Sequence, residues 1–264
     1  MRVLLIGSGG REHAIGWKLS QSPLITELIS CPGNPGLEEL GEIVTDVNPL
    51  DADAVARLAG DRSVDLVVVG PEAPLAAGVA DALNGAGIAV FGPSARAARL
   101  ESSKAFAKEI MTAAGVPTAA YGEYTDQASA YARLEASDAP YVVKADGLAG
   151  GKGVLVTEDL IAAKGWVDAC LAGRFGEAGE TVVIEEHLDG DEVSLFFICS
   201  GDTAIALDPA RDYKRLLDND AGPNTGGMGS YSPVHDVDDY FIRWTQTHVA
   251  EPTLAALAAR GIPY

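Results

Sequence analysis

Short apolar runs alternate with amphipathic segments through the first hundred residues of the chain. A strand buried on both faces of a sheet is a continuous apolar run, whereas a helix places apolar residues three and four positions apart. The pattern predicts strands at 3–6, 24–30, 43–47, 66–69 and 89–91, and helices at 11–19, 51–59 and 76–86. This alternation favours an α/β fold with a doubly wound, Rossmann-like parallel sheet and functional loops at the carboxyl ends of its strands.

The pattern changes after residue 102. A predicted helix at 103–114 ends at Gly115-Val116-Pro117, and an α+β region follows it. There we predict helices at 125–136, 159–172 and 238–259, strands at 141–144, 154–157, 181–186, 192–200 and 204–207, and a long polar loop before the last helix. The predicted domains are an N-terminal domain (1–102), a linker helix (103–120), a small subdomain (121–188) and the first part of a core subdomain (189–264).

Composition narrows the class of protein. The chain has 264 residues, 47% of them hydrophobic, which is enough to bury the cores of two or more domains. We find no signal-peptide pattern and no apolar run near the ~20 residues of a membrane span. Cys31, Cys170 and Cys199 lie far apart, and the four histidines lack metal-ligand spacing. We therefore expect a cytoplasmic protein with no disulfide, no membrane contact and no metal ligand among these residues.

The distribution of charge excludes one class of partner and suggests another. A formal net charge of −19 argues against nucleic-acid binding, which depends on Lys and Arg neutralising phosphates. Several of the basic residues nevertheless lie in or beside segments rich in glycine or proline: Arg11, Lys104, Lys144, Lys152, Arg211, Lys214 and Arg215. This placement indicates that the chain binds small anions.

The segment VVKADGLAGGKGV at 142–154 is the most informative of these. An apolar run delivers Lys144, a loop containing Gly147, Gly150 and Gly151 follows, and Lys152 precedes a second apolar run. Glycines let backbone N–H groups approach an anion closely, so the loop predicts a polyphosphate site. It is not a Walker A loop, because a strand rather than a helix follows it. The alternative is a flexible hairpin with solvated lysines.

The first loop, GSGGREH at 7–13, resembles a dinucleotide fingerprint but departs from it. Glu12 stands at the position of the third glycine, and the second strand lacks the expected acidic residue at its end. Arg11 adds a cation at a helix N-terminus, which suits a terminal phosphate monoester. A tight strand-to-helix turn with a solvated Arg11 is the alternative, and a nucleotide-dependent oxidoreductase is the competing function.

Two further segments carry candidate chemistry. EEHLDGDE at 185–192 can offer backbone groups to an adenine edge and a carboxylate to ribose hydroxyls, although an acidic β-turn has the same sequence character. RDYKRLLDNDAGPNTGGMG at 211–229 combines alternating charges with glycines. Asp212 and Lys214 could bind the two ends of a zwitterion there, and a disordered surface loop is the alternative.

These segments together resemble one family. SKAFAK, VVKADGLAGGKGV, EEHLDGDEVS and DYKR followed by GPNTGGMGSYSP are similar to ATP-grasp enzymes. GSGGREHA, CPGNPG and GPEAPL narrow the resemblance to the glycinamide ribonucleotide synthetase (phosphoribosylamine–glycine ligase) family of purine biosynthesis. The resemblance spans the whole chain, and it implies ATP-grasp domains after the N-terminal sheet, the last of them incomplete.

The resemblance also implies roles for individual residues. Around phosphoribosylamine it places Gly10, Arg11, Asn34 and Glu72. Around ATP it places Lys104, Lys144, Gly147, Gly150, Gly151, Lys152, Glu185, Leu188 and Glu192. Around glycine and the acyl intermediate it places Asp212, Lys214, Asn224, Gly226 and Gly227. Two departures, Arg211 for the usual Gln and Tyr213 for the frequent His, flank Asp212.

The implied reaction has two steps. Glycine takes the γ-phosphoryl group of ATP to give glycyl phosphate and ADP, and the amine of phosphoribosylamine then displaces phosphate to form the amide. Such chemistry depends on positioning and on cations around the transferring oxygens. The glycine-rich loop is expected to close over the phosphates. Mg²⁺ is implied as well, but the family's metal ligands, a Glu and an Asn, lie beyond Tyr264.

The chain therefore resembles a truncated family member. We expect these 264 residues alone to be inactive and the full-length protein to be a monomer whose partners are small-molecule substrates. The alternatives are a fragment that only binds a phosphoribosyl ligand and another ATP-grasp carboxylate–amine ligase.

Overall fold

The computed structural model describes residues 1–218 and 221–264, with the backbone alone of residues 221, 223 and 224. The chain divides into two compact units, Met1–Ser102 and Ser103–Tyr264. None of the helices in the described residues has the length and apolar character that a membrane crossing requires.

The first unit is built on a five-stranded parallel sheet, which confirms the predicted fold class. Its strand order is β3-β2-β1-β4-β5, so the order reverses beside β1. The strands are β1 Arg2–Gly7, β2 Glu27–Pro32, β3 Glu42–Ile43, β4 Leu66–Val69 and β5 Ala89–Phe91. The helices are α1 Gly10–Ser20, α2 Pro35–Glu38, α3 Ala52–Asp61, α4 Glu72–Ala76, α5 Val79–Gly85 and α6 Ala95–Ser102. A reversal of this kind opens a crevice at the carboxyl ends of the strands.

Two apolar clusters cover the faces of this sheet. Leu4 and Ile6 of β1 belong to one cluster, and Val3 and Leu5 belong to the other, because successive side chains of a strand point to opposite faces. All four are fully buried. The sheet is therefore packed on both faces, and the loops that follow its strands start from buried residues.

Some predicted elements of the first unit differ in extent. β2 starts at Glu27 and β3 has two residues, so both are shorter than predicted. The helix predicted at 76–86 is present as α5 but starts only at Val79, because Gly78 adopts a φ of 90° and separates α5 from α4. The unpredicted α6 buries only the alanines Ala97 and Ala98, which give little apolar pattern.

The second unit contains a four-stranded antiparallel sheet of order β6-β9-β7-β8. Its strands are β6 Tyr121–Tyr124, β7 Tyr141–Ala145, β8 Val154–Thr157 and β9 Val182–Glu185. The helices of this part are α7 Lys104–Ala114, α8 Gln127–Glu135 and α9 Leu160–Ala169, followed by the short turns Cys170–Arg174 and Gly176–Gly179. Val143 and Ile184 pack with Leu134 and Val167 in the core on one face of this sheet.

Two hairpins and a helical segment complete the second unit. The strands are β10 Phe197–Ser200, β11 Thr203–Ala206, β12 Arg211–Leu217 and β13 Ala221–Tyr231. The helices are α10 Asp239–Thr245 and α11 Glu251–Ala259, joined by the π-helical turn Gln246–Ala250. The strand predicted at 192–200 begins only at Phe197.

The long polar loop predicted before the last helix is wrong, because β12 and β13 pair there as an antiparallel hairpin with irregular register. Its residues are mostly half-buried or exposed, so no apolar alternation marks the strands. The Tyr213 and Tyr231 rings stack across the hairpin with centroids 6.4 Å apart.

Candidate functional site

The loops of the first unit meet at one edge of its sheet. Gly7 at the end of β1 is in register with Pro32 at the end of β2, and Ile6 is in register with Val69 at the end of β4. The glycine- and proline-rich segments that follow these strands are therefore neighbours. They carry all four residues predicted to bind phosphoribosylamine: Gly10, Arg11, Asn34 and Glu72.

Arg11 links two of these loops. Its Nη1 donates a hydrogen bond to the Gly70 carbonyl at 2.7 Å and lies 3.7 Å from Oε2 of Glu72. The Arg11 side chain is 62% exposed, so its guanidinium keeps donors directed to solvent. The structure thus brings together Arg11 and Glu72, as a cation at the start of α1 beside a carboxylate at the start of α4.

Asn34 ties the second loop to the first. Its side-chain amide donates to the carbonyls of Ser8 at 3.1 Å and Gly9 at 3.2 Å, while its Oδ1 accepts from the Leu37 amide and caps α2. Gly10 faces open space, since a Cβ built there meets no atom within 4 Å. The backbone at the start of α1 is consequently accessible to an anion.

Glu12 is a structural residue that the sequence analysis noted only as a departure from the dinucleotide fingerprint. It is 3% exposed, and its Oε2 accepts a hydrogen bond from the Gly9 amide at 2.7 Å. A Cβ at Gly7 or Gly70 would come within 2.5 Å of the Glu12 side chain. Glu12 therefore fills the space beneath the loop, and glutamate three residues after an N-cap is the sequence signal that indicates this bond.

In the second unit, the glycine-rich loop is anchored to the start of α7. Oδ1 of Asp146 accepts from the Ala105 amide at 2.6 Å, and Oδ2 of Asp146 accepts from Ser103 Oγ at 3.0 Å. The Lys104 ammonium donates to the Asp146 carbonyl at 3.2 Å and the Gly147 carbonyl at 3.1 Å. Lys104 thus lies at the base of the loop. This position is consistent with the expectation that Lys104 and the loop bind the same ligand, ATP.

Past this anchor the loop is open. Gly150 and Gly151 have φ values of 60° and 74°, a region that favours glycine, and a Cβ at either would meet nothing within 4 Å. Lys152 lies near the tip, and within the described residues its side chain makes no hydrogen bond or ion pair. Gly147 differs, because a Cβ there would come within 2.8 Å of Ala178.

Lys144 and Glu185 face each other from β7 and β9. The Lys144 ammonium lies 3.0 Å from Oε1 of Glu185, and the other carboxylate oxygen lies 3.1 Å from the ammonium of Lys108. Sequence analysis missed Lys108, because a lysine in a helix ordinarily indicates an exposed position. Its burial is set by packing between α7 and residues that follow it in the chain.

The linker after β9 leads to a second charged cluster. Leu188 is 64% exposed, and Glu192 pairs with Lys214, whose ammonium also lies 3.2 Å from Asp212. Burial lowers the pKa of Lys214, but hydrogen bonds to the two carboxylates raise it further, and the net shift is upward. Glu192, assigned to ATP, and Asp212 and Lys214, assigned to glycine, therefore form one cluster.

Arg211 fixes this cluster to the segment after the hairpin. It donates to the Glu192 carbonyl at 3.0 Å and to Asp236 at 2.9 Å. The hydrogen bond to Asp236 is the main cause that raises the pKa of Arg211, and the same bond lowers the pKa of Asp236. Arg211, which departs from the family's usual Gln, therefore has a structural role: its side chain donates to groups on three segments, the third of them the Tyr231 hydroxyl.

The remaining candidate residues lie on β13. Gly227 has a φ of 119°, its amide donates to the Thr225 hydroxyl at 3.1 Å, and a Cβ added at Gly226 or Gly227 would meet no atom within 4 Å. Thr225 in turn donates to the Lys214 carbonyl at 2.9 Å, so this part of the hairpin adjoins Lys214. The side chain of Asn224 lies outside the described residues.

In the described part of the chain, neither a metal site nor a cavity adds to these clusters. Within the described residues no group of three or more His, Cys, Asp or Glu side chains could hold a metal ion. A cavity of about 520 Å³ borders the linker at Glu185–His187 and includes Arg133 and Asp138 in its lining. Neither Lys104 nor Lys144 lines it, so we do not assign the cavity to phosphate groups.

Known proteins are similar to this chain in sequence and in fold. Sequence models of the phosphoribosylglycinamide synthetase family match the chain in order, the N domain at 1–101 and the ATP-grasp (A) domain at 102–264. The chain is 51% identical to phosphoribosylamine–glycine ligase of Caulobacter vibrioides, over 100% of this chain and 62% of the relative. It is 52% identical to that of Streptomyces coelicolor, over 100% of this chain and 61% of the relative.

A solved structure gives the same picture. The crystal structure of phosphoribosylamine–glycine ligase from Thermotoga maritima matches with a TM-score of 0.83 and 31% sequence identity, over 100% of this chain and 63% of that chain. The present chain thus spans about three fifths of the length of the relatives that it matches.

Proposed function

Because the chain belongs to the phosphoribosylglycinamide synthetase family, we propose that it serves the ATP-dependent ligation of glycine to 5-phosphoribosylamine. The products are glycinamide ribonucleotide, ADP and phosphate, and the reaction belongs to de novo purine biosynthesis. The observation that carries the proposal is Lys144 on the strand that enters a glycine-rich loop, in a unit that matches the family's ATP-grasp model. We further propose a cytoplasmic location and a monomeric state.

The second unit would bind ATP. Lys144 and Lys104 supply cations at the base of the loop, and the open glycines and Lys152 supply backbone N–H groups and a further cation near its tip. Glu185 and Leu188 border the adenine, and Glu192 binds the ribose. The anchor at Asp146 supports this proposal, because it fixes the base of the loop and leaves the tip able to close over phosphates.

The β12–β13 hairpin would bind glycine. Asp212 suits the ammonium group of glycine and Lys214 its carboxylate, while Gly226 and Gly227 present backbone with no side chain in the way. Asn224 keeps its proposed place in this set. A pair of opposite charges two positions apart on one strand is the chemistry that a zwitterion needs.

The first unit would bind phosphoribosylamine. Arg11 and the backbone of Gly10 would hold the phosphate monoester at the N-terminus of α1, and Asn34 and Glu72 would bind the sugar. The buried Glu12 stands where the dinucleotide fingerprint has its third glycine, which allows close packing of helix and strand, so the loop departs from that fingerprint.

The proposed chemistry balances without a covalent enzyme intermediate. A carboxylate oxygen of glycine attacks the γ-phosphorus of ATP and ADP leaves, giving glycyl phosphate. The amine nitrogen of phosphoribosylamine then attacks the acyl carbon, phosphate leaves with the bonding electron pair, and the amine loses one proton. Lysine ammoniums stabilise the negative charge on the transferring oxygens.

Magnesium is the ion that this family implies. The described residues offer no cluster of carboxylates that fits it, and we derive no step through a metal.

The proposal is tested by calorimetric titration of the 264-residue protein with ATP and with adenosine. Lys144→Met should weaken ATP binding by about tenfold or more and leave adenosine binding nearly unchanged, because only ATP loses a charge partner. Lys164→Met, which removes a surface lysine paired with Glu135, is the control. A wild-type protein that binds ATP no more tightly than adenosine would overturn the proposed ATP site.

A further inference from the structure

Lys108 is a buried lysine that belongs to none of the ligand sets proposed above. It lies one helical turn after Lys104 on α7, and its side chain is 8% exposed. Its ammonium donates to Thr118 Oγ1 at 2.8 Å and to the Ala119 carbonyl at 3.2 Å, and it lies 5.5 Å from the Tyr121 ring centroid. These partners, together with Glu185, satisfy a buried charge that would otherwise be costly.

Glu185 is shared between two lysines. Its Oε2 lies 3.1 Å from the Lys108 ammonium, its Oε1 lies 3.0 Å from the Lys144 ammonium, and its side chain is 7% exposed. Two positive charges and one negative charge leave this three-residue network with a formal net charge of +1. Of the three side chains Lys144 is the most exposed, at 25%, so the excess charge reaches solvent through Lys144.

The shared carboxylate poses a problem for a phosphate site. If Glu185 and Lys144 formed an isolated pair, the carboxylate would cancel the charge of the lysine that is meant to attract phosphate. Charges that are close together in a poorly solvated region act strongly on one another, so this cancellation would be large. Lys108 supplies the second positive charge from the buried side of Glu185.

We propose that Lys108 is a positioning residue for the nucleotide site, which neutralises Glu185 from behind and leaves Lys144 with an uncompensated charge for polyphosphate. The inference rests on the proposed function, because it takes the ligand of Lys144 to be ATP. Lys108 itself touches no ligand. Its effect passes through Glu185, whose two oxygens hold the two ammoniums at fixed positions.

A purely structural role for Lys108 makes a different prediction. In that case its loss would loosen the sheet and α7, and binding of adenosine and ATP would weaken together. An electrostatic role predicts that the ratio of the two affinities follows the formal charge of the network, whichever residue is changed.

The experiment measures the Kd of ATP and of adenosine by calorimetry for wild type, Lys108→Met, Glu185→Gln and the double variant. The formal charges of the network are then +1 in wild type, zero in Lys108→Met, doubled in Glu185→Gln, and restored in the double variant. We expect Lys108→Met to lower the preference for ATP over adenosine about tenfold. The double variant should recover most of that loss, and Lys108→Arg, which keeps the charge, should retain the preference.

Each result supports or overturns the inference. An unchanged preference in Lys108→Met, or a double variant no better than Lys108→Met, would overturn it while leaving the proposed ATP site intact. A wild-type protein with no preference for ATP would overturn the proposed function and this inference together. Circular dichroism establishes whether each variant folds. If Lys108→Met fails to fold, the comparison of Glu185→Gln with the double variant still tests the inference. A lower preference for ATP in Glu185→Gln than in the double variant would overturn it, because the affinity ratio would then not follow the formal charge of the network.

Discussion

Under the proposed function, the charged side chain of Arg11 makes the first unit selective for a phosphate monoester. Arg11 stands at the start of α1, where the helix dipole and free N–H groups already favour an anion. Its bond to the Gly70 carbonyl orients the guanidinium without cancelling its charge, and its carboxylate neighbour Glu72 is 3.7 Å away and partly solvated. A phosphate can therefore compete for Arg11.

Arg11→Ala should weaken binding of ribose 5-phosphate far more than binding of ATP. A charge-assisted bond to phosphate contributes about 1.5–3 kcal/mol, so we expect a loss of roughly ten- to a hundredfold in affinity. Arg62→Ala, which removes an arginine paired with Glu42 elsewhere in the same unit, is the matched control. Calorimetry on both variants checks the prediction, and equal losses for the two ligands would place Arg11 outside the pocket.

The Arg211–Asp236 pair gives a pH-dependent contribution to stability. The hydrogen bond from Arg211 lowers the pKa of Asp236 below its usual value of 3.8. A carboxylate with a depressed folded-state pKa stabilises the protein above its unfolded pKa, and this stabilisation is lost as the pH falls through the folded pKa. The pair therefore contributes at neutral pH and ceases to do so in acid.

Asp236→Asn should lower the thermal unfolding midpoint slightly at pH 7, because the charged partner of Arg211 is lost. Below about pH 4 the difference from wild type should begin to shrink, because the unfolded chain then binds a proton at Asp236, and it should vanish once the pH falls below the lowered pKa of folded Asp236. Thermal scans of both proteins between about pH 3 and pH 7 measure this. A constant difference across the range would show that the charge of Asp236 has no part in it.

Sequence patterns located some of these residues and missed others for a physical reason. Arg11 was singled out because a cation at the start of a helix indicates anion chemistry, whereas Asn34 was expected only from the family resemblance. Lys108 was missed because its neighbours in sequence are those of an ordinary helix, while its burial depends on Glu185, which lies far along the chain. Burial of a charge is a tertiary property, and no local pattern encodes it.

At the scale of elements, the glycine-rich loop depends on a helix that is distant in sequence. Asp146 lies at the end of β7, yet its carboxylate caps α7 by accepting from the Ala105 amide and the Ser103 hydroxyl. The first turn of a helix has free N–H groups, so one side chain satisfies the helix and fixes the loop base at the same time.

Asp146→Ala should destabilise the protein by about 1–2 kcal/mol, the usual effect of losing a helix cap. It should also weaken ATP binding more than adenosine binding, because the loop that we propose to cover the phosphates loses its anchor. The matched control is Asp159→Ala, which removes the cap of α9 at the Ile161 amide and touches no part of the loop. Denaturant unfolding and calorimetry test both effects, and ATP affinity that falls equally in the two variants would refute the anchoring role.

Elements were predictable where an apolar pattern was strong. The buried strands β1 and β4 are continuous apolar runs, and the structure confirms them. The hairpin of β12 and β13 was predicted as a loop, because its residues are charged, aromatic or glycine and it buries no apolar face. The apolar spacing continues across Gly78, so the sequence pattern does not show the break between α4 and α5. The break is visible only in the backbone, where Gly78 adopts a positive φ.

At the scale of the whole molecule, two compact units carry separate apolar cores. The α/β class and the ATP-grasp resemblance are confirmed by the structure and the comparisons. The strand order β6-β9-β7-β8 of the second unit could not be predicted, since pairing between distant strands depends on closing long loops and is not written in either strand. The division of residues 103–264 into finer subdomains stays a prediction.

The first unit should fold and bind its ligand when produced alone. Residues 1–102 form a five-stranded sheet with apolar clusters on both of its faces, and their candidate site lies entirely on their own loops. We expect a cooperative unfolding transition with a free energy of about 5–10 kcal/mol, which is usual for a domain of this size. The affinity for ribose 5-phosphate should lie within about threefold of that of the 264-residue protein, because all four candidate residues belong to this unit. The loss of a contact contributing about 1 kcal/mol would already lower the affinity by more than threefold.

Circular dichroism with denaturant titration measures the folding of this isolated unit, and calorimetry measures its affinity for ribose 5-phosphate. Arg11→Ala made in residues 1–102 should reproduce the loss seen in the longer protein, and Arg62→Ala should again have little effect on affinity. A folded unit that does not bind ribose 5-phosphate would show that the phosphate site needs residues from beyond Ser102. An unfolded one would show that the two apolar clusters are not sufficient to stabilise the sheet alone.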